Sequence, residues 1–361
     1  MLVYYVTIFV VLMTSVMAQN SITYEEKNGF YYPIKNSGYR FFAAITTMIL
    51  IFVAGLRYHV GADYNNYVST YEVRKETWML FVKSFDEPGI SVLCKICSMI
   101  YDNSATLFFV CSLITIGLYM NNIKKYSTSY MFSVMMFIFC GTWAGSFGAI
   151  RQYLAAAILF AGHRYMYNRK FLKWLFIVLL AFCFHRTAIV MLPVYFIANK
   201  KINFKTIFIL VIAVIFIRYS YDYIFTVMSS FKGTDQTQYS YMNTNVNIFR
   251  VLVAVVPILL YFLTYYRNRQ ENDRETDFYS MMLFVNATFM LATSNSAYLA
   301  RIGIYTETFI VFAFPKLLEH MESRIRRQYK ILIFICYFLY FAYQIYASDS
   351  LNNFQWIFNY L

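Results

Sequence analysis

The stretch Tyr39-Arg-Phe-Phe-Ala-Ala-Ile-Thr-Thr-Met-Ile-Leu-Ile-Phe-Val-Ala-Gly-Leu56 runs straight into Arg57-Tyr-His-Val-Gly-Ala-Asp-Tyr-Asn-Asn-Tyr67. An apolar run long enough to cross a bilayer ends abruptly on an arginine and an aspartate set among tyrosines. Charge placed at the edge of hydrocarbon is costly, so it asks for a functional reason. The run itself sets the fold class, and its charged end sets where to look for chemistry.

The rest of the chain repeats that pattern. Of its 361 residues 60% are hydrophobic and only 14% charged, against roughly 25% charged in soluble domains. About twelve candidate spans lie near 2–18, 39–56, 104–120, 129–149, 150–167, 171–184, 187–198, 206–228, 248–266, 278–294, 301–318 and 331–347. The expectation is an all-α, polytopic integral membrane protein of about 11–12 transmembrane helices, some short or re-entrant, in a single domain over 1–361. The first run ends Val16-Met-Ala18-Gln19, which has the small residues of a leader cleavage site; with no Lys or Arg before it, a true span is the better reading. Cys94-Lys-Ile-Cys97 has no second pair and reads as two thiols on one packed helical turn, with no metal expected.

Basic residues fall at alternate connections: Lys27, Lys35 and Arg40; Lys124 and Lys125; Arg164 to Lys173; Lys200 to Lys205; Arg267 to Arg274; and Lys316 to Lys330. The positive-inside rule makes those connections cytoplasmic and turns both termini outward. Segments 57–103 and 229–247 are then the main outward loops. The net charge of +13 reports topology and needs no nucleic-acid partner. Arg57, Arg151, Arg186, Arg250 and Arg301 break the rule, since each lies at an outward span end. Snorkelling at the interface explains one such arginine; five at one level point to an anion.

Local context sharpens these positions. Gly141 and Gly145 could pack helices, and Gly148 suits a new helix opening at Arg151, whose free N–H groups would favour an anion. Arg301 and Tyr305 share a helical face if the segment is regular, and Arg218 with Asp222 reads as an internal ion pair. His185-Arg186 interrupts an apolar stretch from Phe171 to Ala198. Two arms turning at His185 keep Lys173 and Lys200 on one side, but each reaches only roughly 20 Å of a 30 Å core. The apex would then lie within the membrane, lining a polar cavity. There is no phosphate loop of the G-x-x-x-x-G-K-[ST] type for ATP-driven transport, and no D-x-D for a nucleotide-sugar transferase.

Five stretches resemble, in order and spacing, the EpsG-type, Wzy-like polysaccharide polymerases of bacterial inner membranes. They are Arg57-Tyr-His-Val-Gly61-Ala-Asp63-Tyr64 with Tyr67, Glu87-Pro88-Gly89, Ile150-Arg151-Gln152, Ala181-Phe-Cys-Phe-His185-Arg-Thr-Ala188 and Arg301-Ile-Gly-Ile-Tyr305. The chain departs from the family at Gly148, where asparagine is usual, and at Thr187, where serine is frequent. The resemblance implies a GT-C-like membrane glycosyltransferase without a cofactor. Such an enzyme moves a growing glycan from undecaprenyl pyrophosphate to the non-reducing end of another lipid-linked repeat unit, at the periplasmic face. Its implied partners are the lipid-linked donor and acceptor, membrane lipid and a chain-length regulator; its products are O-antigen, capsule or exopolysaccharide. Arginine forks can stabilise a departing pyrophosphate without a metal. Arg151 and Arg301 are the expected ligands, supported by Arg57, Arg186 and Arg250, with Tyr64, Gln152 and Tyr305 beside them. The base is Asp63 or His185, unless Asp63 only pairs with Arg57. A flippase or an O-antigen ligase would need similar cations; internal repeats would mark the first and a large outward loop the second.

Overall fold

In hydrocarbon every backbone amide must bond within its own segment, so the apolar runs become helices. The computed structural model describes residues 1–27, 30–76, 87–232, 244–266 and 273–359. Helix α1 (Leu2–Asn20) is followed by an antiparallel hairpin, β1 (Ile22–Lys27) and β2 (Phe30–Lys35), which the apolar pattern does not announce. Helix α2 (Ser37–Gly55), capped by Asn36, packs on α1 and leads to strand β3 (Arg57–Tyr58). Two helices follow, α3 (Tyr64–Lys75) and α4 (Pro88–Ile100), then the long α5 (Ser104–Tyr126) against α2. Within the 57–103 segment, residues 77–86 lie outside the described residues.

The second half is more broken. Helices α6 (Tyr130–Phe139) and α7 (Thr142–Gly145) are separated by Gly141 at φ 95°, and α8 (Ile150–Tyr167) begins at the residue before Arg151. Helix α9 (Phe171–Phe182) is joined to α10 (Met191–Ala198) by a 3₁₀ turn over Arg186–Val190. Asn199 donates to the Met166 carbonyl at 2.7 Å, and Trp174 Nε1 to that of Met191 at 3.3 Å. The arms therefore return to the level they left, as the hairpin reading requires. Helix α11 (Phe204–Lys232) continues past 229 into the expected outward loop; 233–243 and the side chain of Asp222 lie outside the described residues. Arg218 itself donates to Ser294 and Asn295 at 3.0 Å each.

Helix α12 (Ile248–Tyr261) runs into a π turn to Tyr266, and α13 (Arg274–Ala292) is buried nearly all round. The run expected as one span at 301–318 is divided into a 3₁₀ turn (Leu299–Gly303), α14 (Ile304–Glu307) and α15 (Ile310–Glu319). Helix α16 (Ser323–Tyr346), α17 (Asp349–Asn352) and strand β4 (Gln355–Trp356) close the chain. Among the described residues five helices are long and apolar enough to cross a membrane: α1, α2, α5, Ile248–Tyr266 and α16. The fold is all-α and polytopic, with short and broken segments between those crossings.

Connections sort into two levels. At one, Tyr39 donates to the Lys124 carbonyl at 2.8 Å, Arg164 and Lys316 meet Glu275 at 2.7 and 3.2 Å, and His320 meets Asp273 at 3.1 Å. This level holds the basic connections. At the other, backbone ties join Gly61 to Ser350, Gly89 to Cys183, and Val246 to Ser294 at 2.8–2.9 Å. Strand β4 pairs with β3 there, opposing Trp356 to Arg57.

Candidate active site

The loop after α2 is built around Arg57. Its Nε donates to the Val60 carbonyl at 3.1 Å and Nη2 to that of Phe147 at 3.0 Å; Nη1 reaches the Ala54 carbonyl. The guanidinium lies near the rings of Phe108 and Phe147, 5.2 and 5.0 Å from their centroids, and the residue is 1% exposed. A fork with five donors suits this work, because it gathers carbonyls from three places on the chain. Gly61 completes the loop at φ 111°, where an added Cβ would stand 2.2 Å from the Phe147 oxygen. Tyr64 is buried and stacks on Phe108 with centroids 4.3 Å apart. Arg57 and Tyr64 are therefore corrections to the expected anion site. Their polar or aromatic groups are spent inside the protein, and Arg57 neither snorkels nor pairs with Asp63.

That anchored loop places Asp63 on the wall of a cavity of about 350 Å³, which Arg250, Arg301, Tyr153, Glu307 and Gln344 also line. Asp63 Oδ2 lies 4.0 Å from Arg301 Nη1, with both side chains about one-third exposed. Tyr153 donates to Glu307 at 2.9 Å. Arg250 and Glu307 also share a small pocket beside the main one. Asn247 caps α12 and donates to the Tyr343 hydroxyl at 2.6 Å. Tyr340 and Tyr343 belong both to the cavity and to an apolar groove of about 470 Å³ between Phe249–Val256 and Cys336–Tyr343.

Beside the cavity stands a second polar cluster. Arg151 Nη1 donates to Glu87 Oε2 at 2.6 Å, and its backbone N–H goes to the Tyr67 hydroxyl at 3.3 Å. The helix start is where the sequence places it, but that N–H already has an acceptor. His185 Nδ1 lies 2.7 Å from Glu87 Oε1, which also accepts the Arg186 backbone N–H at 3.3 Å. Burial alone would raise the Glu87 carboxyl; the His185 hydrogen bond and the Arg151 charge outweigh it and hold the group below its ordinary value. Gln152 donates to the Arg301 carbonyl at 2.8 Å and so links the cluster to the cavity wall. Buried Tyr305 shares a 2.7 Å hydrogen bond with Thr187. Because its segment is a 3₁₀ turn followed by one helical turn, Tyr305 points into packing while Arg301 opens to the cavity; the shared helical face does not form. Arg186 exposes its side chain.

Three expected residues, Asp63, Arg250 and Arg301, thus share one chamber, and Arg151 with His185 shares a carboxylate next to it. Sequence reasoning passed over two acids. Glu87 stood in Glu87-Pro88-Gly89 only as a landmark, although an acid before a helix-opening proline was a visible signal. Glu307 was a lone carboxylate inside an apolar run, the kind of position a bilayer makes costly. The other three histidines are spent on packing or on the basic level: His59 lies against the rings of Tyr58 and Tyr64, His163 is buried against Phe160 and Tyr279, and His320 meets Asp273. A model of the EpsG family matches residues 40–360. Neither a curated protein nor a solved structure matches the chain.

Proposed function

From the premise that this chain belongs to the EpsG family, we propose that it is a membrane polysaccharide polymerase whose donor glycan is carried on undecaprenyl pyrophosphate. The gathering of Arg250, Arg301 and Asp63 around one cavity carries this reading. Two guanidinium groups, one from α12 and one from the 3₁₀ turn at Arg301, suit a diphosphate, whose charge grows as the sugar–phosphate bond breaks. In that reading they replace a metal. Asp63 and Glu307 line the same cavity and would accept hydrogen bonds from sugar hydroxyls, with Tyr340 on the same wall to meet a sugar ring. The apolar groove that shares Tyr340 and Tyr343 with the cavity gives the isoprenoid tail a place to lie along α12 and α16.

The cavity lies at the level opposite the basic connections, so the positive-inside rule turns it to the periplasm, where finished repeat units arrive. A glycan growing there is handed to the non-reducing end of the next lipid-linked unit. The acceptor hydroxyl needs a base within hydrogen-bond reach, at Asp63 or His185. The test is a gel of surface polysaccharide from a deletion strain complemented with wild type or Arg301→Ala. Wild type restores the long chains; Arg301→Ala, made at normal level, leaves single repeat units on the final carrier. Long chains trapped on undecaprenyl would indicate a ligase instead, and no glycan outside would indicate a flippase.

A further inference from the structure

Glu87 stands before Pro88 in the left-handed backbone region, at φ 54°. For a residue with a Cβ this conformation is strained, and it persists when the surroundings over-determine it. Here both carboxylate oxygens are engaged, one by Arg151 and the other by His185 and the Arg186 N–H, and the residue is 5% exposed. An ionised carboxylate only accepts hydrogen bonds. His185 must therefore carry its proton on Nδ1, which leaves the lone pair on Nε2. An imidazole fixed in that tautomer by a carboxylate behind it is arranged as a general base.

We infer that Glu87 is a positioning residue that makes His185 the acceptor of the proton from the incoming sugar hydroxyl. The inference rests on the polymerase reading and decides, within it, between His185 and Asp63. Asp63 Oδ2 stands 4.0 Å from Arg301 on the cavity wall, whereas His185 Nδ1 is held 2.7 Å from the Glu87 carboxylate. As the acceptor oxygen bonds to the anomeric carbon, the bond from that carbon to the pyrophosphate oxygen breaks. Its electron pair leaves with the pyrophosphate, and the hydroxyl proton passes to His185 Nε2. The imidazolium so formed is held against the Glu87 carboxylate. Among the described residues, the other charged or titratable groups around His185 are Arg151 and Arg186, and Tyr305 through Thr187.

The test uses the full chain in lipid nanodiscs with lipid-linked repeat units, and reads elongation against pH. Glu87→Gln is expected to lower kcat roughly 100-fold or more with KM within about threefold. It should also move the acid limb of the profile down by about one pH unit, because a negative charge beside the imidazolium is gone. Arg151→Ala removes a positive charge and should move that limb upward. A Glu87→Gln enzyme with the limb unmoved overturns the inference, since a purely structural carboxylate gives that result. A second readout covers a variant that fails to fold. The chain has four histidines, so nitrogen-15 imidazole spectra of the wild type can report the His185 tautomer directly. A proton on Nε2 overturns the inference whatever the activity. A proton on Nδ1 in an enzyme that elongates nothing at any pH counts instead against the polymerase reading.

Discussion

Arg57 and Arg301 occupy the same kind of position in the sequence, an arginine at the outward end of an apolar run, yet the structure gives them opposite work. Arg301 is one-third exposed on a cavity wall; Arg57 is walled in and feeds three backbone carbonyls. Removing it strands buried acceptors, each costing about 1–3 kcal/mol. Arg57→Ala should therefore lower the melting temperature in detergent and the yield of folded protein, and Arg57→Lys should rescue neither, because an ammonium cannot reproduce the fork. Arg301→Ala should melt like wild type. Were Arg57→Ala to melt normally and lose only polymer, its place as an anchor would be wrong. The five outward arginines were legible from charge placement alone. Which of them turned inward was not, since the deciding partner of Arg57, the Phe147 carbonyl, lies 90 residues away. Gly61 shows the same limit: its spacing from Arg57 was visible, but the close approach of that same carbonyl was not.

Among the elements, the hairpin from Phe171 to Ala198 is the most legible, because Lys173 and Lys200 flank it and only a turn between them keeps both on one side. Twelve helical residues in α9 rise about 18 Å, too little for that arm to cross a hydrocarbon core by itself. The hairpin leans on α8, where Gly162 leaves room for Ile177; a Cβ there would come within 2.6 Å of that side chain. Inserting four alanines after Val178 lengthens the arm by about 6 Å. That should withdraw His185 from Glu87, now 2.7 Å away, and abolish elongation while the protein still inserts in the membrane. Near-normal polymer from the insertion mutant would mean that the depth of the turn does not matter. The 301–318 segment was read less well. Its apolar content predicted one span, but a 3₁₀ turn and a break after Glu307 divide it, and hydropathy carries no record of where hydrogen bonding changes period.

At the scale of the whole molecule, the two levels of connections make the orientation a physical question with a definite answer. Basic residues and their acid partners Asp273 and Glu275 gather at one level; the cavity, the Glu87 cluster and the paired strands β3 and β4 gather at the other. This separation was legible from the alternation of Lys and Arg, because a bilayer sorts loops by charge before any tertiary contact forms. What the alternation could not supply was the cavity itself, which needs α8, α12, the 3₁₀ turn at Arg301 and the chain beyond α16 to converge. If the donor is presented at the periplasmic face, Asn103→Cys and Asn247→Cys should react with a membrane-impermeant maleimide in intact cells. Lys201→Cys should react only after the membrane is opened. These variants are made with native Cys336, the exposed thiol, replaced by serine. Labelling in the reverse order would put Arg250 and Arg301 on the cytoplasmic side, where a polymerase of translocated repeat units could not meet its donor. The same cavity would then belong to a protein that handles lipid pyrophosphates before they cross.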